Sequence, residues 1–122
     1  MLLVMRPEDH PAERAARLVG RQWTALIVLH LGRSPMRHGE LLARLCGISQ
    51  KTLTQRLREL ERHGAVHRQT LPGPSPGTLY SLTDRGKQLA ALFNALAEWG
   101  APTLPPPPIV TPAAALDALT TS

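Results

Sequence analysis

The stretch "GISQKTLTQRLRELERHGAV", Gly47–Val66, decides how the rest of the chain is read. Wound as a helix, it puts Leu53, Leu57 and Leu60 at i, i+4 and i+7 on one stripe, the spacing a helix needs to bury one side against a core. The opposite side shows Lys51, Gln55, Arg58 and Arg62, with Gln50, Thr52 and Thr54 near the start. Ser49 stands where an N-cap belongs, its hydroxyl able to accept from an orphan backbone N–H. The helix should end near His63, because Gly64 is placed to take the left-handed conformation that closes helices.

Upstream, "CGI" reads as a three-residue corner, with Gly47 free to adopt positive φ. Before it, "HGELLARL" is a short amphipathic helix with Leu41, Leu42 and Leu45 inward, and "GRSP" is a turn. "WTALIVLHL", Trp23–Leu31, is apolar nearly all round and reads as a buried central helix opened by Trp23. Pro11 starts a first helix over "AERAARLV", and Gly20 closes it. Downstream of Gly64 the period changes to two. "AVHRQTL" and "TLYSLT" are extended, and the turn-rich "PGPSPG" between them makes a hairpin. Thr83 caps a last helix, "DRGKQLAALFNALAEWG", whose Leu89, Leu92, Phe93, Leu96 and Trp99 form an apolar face broader than one small domain covers. Gly100 ends it.

The fold expected is mainly α with a small β-hairpin wing: a winged helix-turn-helix, in which the second helix of the pair enters a DNA major groove. Residues 1–100 make that domain, and 101–122, with six of the twelve prolines, make a Pro-rich flexible tail.

The charge agrees. Lys and Arg number 14 against 9 Asp and Glu, and all 14 lie in residues 1–100, where a polyanionic partner would find them. The one cysteine, Cys46, excludes an internal disulfide, and no signal or membrane-spanning segment is seen, so a cytoplasmic protein is expected. As a lone thiol, Cys46 reads as a small buried hydrophobe before it reads as a redox centre. His63 and His67 share a four-residue spacing, but Gly64 breaks the helix between them and no paired cysteine exists, so neither a metal nor another cofactor is expected. No nucleophile elbow, phosphate loop or paired carboxylates point to an enzyme.

"GISQKTLTQRLRELERHGAVHR", with "YSLTDRG" and "QWTALIVLHL", resembles the HxlR-type winged helix-turn-helix transcriptional regulators over about residues 10–100. The resemblance implies a homodimer, joined through the first and last helices, that binds imperfect palindromes near promoters. The chain departs from the family pattern in several places. His10 stands where many relatives carry a cysteine, so thiol sensing there is unavailable. Arg21 and Gln22 replace a Gly and a Lys. His38 occupies a slot usually held by Phe. Gly77 follows the hairpin prolines in place of a basic residue, and Leu79 replaces a common Glu. The wing is thereby expected to grip less firmly, with Arg68 its only nearby cation.

The expected base readers are Gln50, Lys51, Thr52, Thr54, Gln55 and Arg58, since Gln suits adenine, Arg and Lys suit guanine, and a Thr methyl can meet a thymine methyl. Arg37, Ser49 and Arg68 are expected on phosphates, which position without specifying sequence. Leu89, Leu92, Phe93, Leu96 and Trp99 are expected at the dimer interface. The expected partners are double-stranded DNA, a second copy of the chain and an unidentified small-molecule effector. The other reading is a winged-helix module for protein or RNA without specific duplex readout, and binding to duplex DNA separates the two.

Overall fold

Ile27 and Val28 are wholly withdrawn from solvent, and the molecule is organised around them. The computed structural model describes residues 4–104 and 106. A short 3-10 turn, Pro7–Asp9, leads into α1 (Pro11–Val19), then α2 (Thr24–Arg33), β1 (Met36–Arg37), α3 (His38–Arg44) and α4 (Gln50–Arg62). The wing strands β2 (Val66–Leu71) and β3 (Gly77–Leu82) precede α5 (Asp84–Thr103). The sheet is antiparallel in the order β1-β3-β2, with Arg68 opposite Tyr80 and Met36 on the other side of the same residue.

The leucine stripe of α4 is buried as its spacing requires: Leu53, Leu57 and Leu60 belong to one core with Ile27, Val28 and Leu31 of α2, Leu41 of α3 and Leu45 at that helix's C-cap. Each such side chain contributes about 1.5–3 kcal/mol by leaving water. Ser49 caps α4 by accepting from the Thr52 backbone N–H at 3.1 Å. Gly47 and Gly64 take φ of 99° and 77°, which lets the chain turn sharply at both ends of this helix.

Four features differ from the sequence expectation. Trp23 is the N-cap of α2, not its first residue, and holds a left-handed φ of 81° that a bulky side chain rarely adopts. The neighbouring Gln22 carbonyl accepts from Arg56 Nε at 2.9 Å, which ties this strained turn to α4. α2 is not buried all round, because Leu26 is 47% exposed. Met36 and Arg37 form a third strand, too short to leave a period in the sequence. Finally α5 does not stop at Gly100 but runs to Thr103 with Pro102 inside its last turn. A glycine ends a helix by turning left-handed, and Gly100 is not among the residues with positive φ. The expected boundary after residue 100 therefore falls inside a helix. Residues 107–122 of the expected tail lie outside the described residues. Among the described residues, no helix is long and apolar enough to cross a membrane.

Candidate nucleic-acid interface

With its leucines turned inward, α4 presents Gln50, Lys51, Gln55 and Arg58 to solvent, and these four line one shallow hollow together with half-buried Thr54. Among the described residues neither Lys51 nor Arg58 is in an ion pair, so both ammonium and guanidinium are free to meet an anion. The flank of the helix nearer α1 is different. Arg56 Nη1 lies 3.3 Å from Glu59 Oε1, and Arg21 Nε lies 3.3 Å from Glu59 Oε2. Those charges hold α4 to the α1–α2 turn and offer little to an outside partner.

Ser49 and Thr52 are partly spoken for at the helix start. Beyond its cap bond, the Ser49 hydroxyl donates to Thr52 Oγ1 at 3.0 Å. Thr54 is held from another side, its Oγ1 lying 3.1 Å from His38 Nε2. The polar ring in the slot where the sequence suggested an apolar residue thus has a polar partner. It also sits beside Tyr80, with ring centroids 6.4 Å apart. Burial pushes the Tyr80 phenol above its ordinary pKa, against the lowering influence of Arg68, so it stays neutral near pH 7.

The wing carries two cations, not one. Arg37, on β1, reaches across to its tip and donates from Nη1 to the Ser75 carbonyl at 2.9 Å and to Ser75 Oγ at 3.2 Å. A side chain at Gly77 would put its Cβ 3.2 Å from that same nitrogen. The glycine that seemed to weaken the wing therefore makes room for an arginine delivered by another strand. Arg68, on β2, pairs with Glu61 at 3.1 Å while both remain solvent-exposed in part, a bond that a phosphate can displace at small cost. If it does so, Arg68→Ala lowers DNA affinity alike on all sequences and flattens the salt dependence by about one counterion. A titration of affinity against salt on two unrelated duplexes checks this; loss confined to one duplex with an unchanged slope contradicts it.

The last helix splits its apolar face. Leu92, Leu96 and Trp99, at i, i+4 and i+7, are 65%, 56% and 62% exposed. Leu89 is half-buried against the core. Phe93, grouped with them by the sequence, is only 4% exposed and belongs to the protomer's own core. In a lone protomer it offers almost no surface to a partner. Between α1, the end of α4 and α5 lies a cavity of about 650 Å³, lined in part by Arg17, Leu18, Arg62, Arg85, Leu89 and Leu92. Cys46 is exposed at the corner before α4, contrary to its reading as a buried hydrophobe. Among the described residues, no three His, Cys, Asp or Glu side chains are placed together to hold a metal.

A recognition helix with a free basic face, preceded by a turn and followed by a sheet wing, is the arrangement of DNA-binding helix-turn-helix proteins. The model of HxlR-like helix-turn-helix proteins matches residues 18–107. The chain belongs to the HxlR-like helix-turn-helix family. It is accordingly a DNA-binding regulator of transcription. Among its relatives is the HTH-type transcriptional regulator YodB of Bacillus subtilis, 39% identical over 87 residues, 71% of this chain and 78% of that protein. The reduced form of YodB superposes with a TM-score of 0.71 at 35% identity, covering 86% of this chain and all of that one. The redox regulator HypR in its reduced form superposes with a TM-score of 0.69 at 33% identity, covering 75% of this chain and 90% of that one. In this HxlR-like chain the contacts that sequence reasoning missed are Arg37 to the wing tip and His38 to Thr54. Both join residues far apart in sequence, and only the unusual histidine gave any signal.

Proposed function

We propose that this HxlR-like regulator acts as a homodimer on a pseudo-palindromic operator and represses by occluding a promoter. The two α4 helices enter successive major grooves about 34–36 Å apart. Gln50, Lys51, Thr54, Gln55 and Arg58, with Thr52 at their edge, face the bases. Arg37, Ser49 and Arg68 hold phosphates on either side. The observation that carries this reading is the unpaired, solvent-facing Lys51 and Arg58 on a helix whose other face is locked into the core. Dimerisation joins α1 and α5, and Leu92, Leu96 and Trp99 supply the exposed apolar surface for it. An effector, if an amphipathic anion, suits the arginine-lined cavity between α1, α4 and α5, a volume in the range of small-molecule sites. The protein works in the cytoplasm and catalyses no reaction.

The test is a gel shift and footprint with the DNA upstream of the protein's own gene. A protected pair of half-sites, lost with Lys51→Ala and Arg58→Ala together, supports the reading. Weak binding that is blind to sequence supports instead a module for protein or RNA.

A further inference from the structure

Thr54 lies on the groove-facing side of α4, and its hydroxyl is engaged by a side chain from another helix. Its hydroxyl lies 3.1 Å from His38 Nε2. That contact stands whichever ring nitrogen carries the proton, because a threonine hydroxyl both donates and accepts. The histidine is itself held: it opens α3, is half-buried, and lies beside the Tyr80 ring. Thr54 nevertheless lines the outer hollow with Gln50, Lys51, Gln55 and Arg58. With the oxygen drawn toward α3, the remaining heavy atom of the side chain is the Cγ2 methyl. The hydroxyl keeps some hydrogen-bonding capacity, but its oxygen is oriented toward His38, which leaves the methyl as the group better placed for an apolar contact in the groove.

We infer that Thr54 reads a thymine through its C5-methyl group, and that His38 is the positioning residue that makes it do so. The inference rests on the DNA-binding reading above and adds a specificity rule to it. The thymine methyl projects into the major groove and is absent from cytosine, so a methyl facing it discriminates without any hydrogen bond. Lys51 and Arg58, on either side, suit guanine, which places the thymine within or beside a G-containing half-site.

The experiment starts with selection of duplexes from a random pool by the full-length protein. Each thymine of the best duplex is then replaced singly by 2′-deoxyuridine, which deletes only the methyl. One replacement per half-site should lower wild-type affinity about fourfold, the effect of one lost buried methyl. Thr54→Val, which keeps Cγ2, should retain that sensitivity. Thr54→Ser, which keeps only the hydroxyl, removes the methyl from both subunits, so it should bind about sixteenfold more weakly and lose the distinction between thymine and deoxyuridine at that position. His38→Phe should fold, as judged by its thermal transition, yet show a reduced deoxyuridine effect, because the hydroxyl is then free to turn outward. A merely structural histidine would not change that readout. If selection enriches a site but no deoxyuridine replacement depends on Thr54, or if Thr54→Ser keeps the full discrimination, the inference is overturned and the DNA-binding reading stands. If selection enriches nothing, both fall.

Discussion

Gly86→Ala is expected to lower the stability of the fold by about 3 kcal/mol, the upper end of what overpacking costs. Gly86 is buried in the first turn of α5, and a Cβ there would sit 2.0 Å from the Ala65 carbonyl oxygen and 3.1 Å from Leu82 Cβ. The oxygen has no room to retreat. It accepts the Thr83 backbone N–H at 3.0 Å, while the Ala65 N–H donates to the Leu60 carbonyl at 2.9 Å. The Thr83 hydroxyl adds a second tie, donating to the Gly64 carbonyl and accepting from the Gly86 N–H. The methyl can be admitted only by breaking some of these bonds or lifting α5 off the sheet. Urea denaturation followed by circular dichroism measures the loss. Gly100→Ala is the control, since a Cβ there meets nothing within 4 Å and alanine is the better helix former. A Gly86→Ala protein with the wild-type midpoint would falsify the close packing at this joint.

On the proposed dimer, Leu96→Asp is expected to give a well-folded monomer and to reduce operator affinity about 10²–10⁴-fold, the gain that joining two binding modules confers. Leu96 is 56% exposed in the protomer, so a charge there leaves the core of α5 intact. In a dimer joined along α5 the same charge would be buried among Leu92, Trp99 and their counterparts without a partner, which is strongly unfavourable. Light scattering at micromolar concentration should give a monomer mass, and a gel shift should show weak binding to single half-sites. An unchanged dimer with full operator affinity would mean that α5 does not form the interface. Phe93→Asp is no substitute for this test, because Phe93 packs inside the protomer and its loss would unfold the chain.

The recognition helix was legible in the sequence because everything that makes it is local. Its leucine stripe, Ser49 cap and two flanking glycines lie within one twenty-residue stretch, and each has a direct physical meaning. The hairpin was legible for the same reason, from a change of period and a proline-rich tip. What the sequence hid are contacts between distant segments. His38 meets Thr54 16 positions away, and Arg37 meets Ser75 38 positions away. A two-residue strand such as β1 leaves no periodic trace, yet it is what carries Arg37 to the wing and turns Gly77 from an apparent defect into a fitted space. On α5, two neighbouring stripes share one helical period. The spacing therefore gave a broad apolar face without separating Phe93, which the core takes, from Leu92, Leu96 and Trp99, which it leaves outside.

The joint at Ala65 and Gly86 has a mechanical consequence. Backbone lies directly on backbone there, with no side chain between to bend or change rotamer, so the turn after α4 and the head of α5 are stiffly joined. In the dimer proposed above, tilting one subunit against another along α5 would then swing each recognition helix with it, altering the distance between them on DNA. Were an effector to act through such a tilt, the sensitivity of DNA release would depend on stiffness at this crossing, and a softer residue pair would blunt the response before it blunted binding.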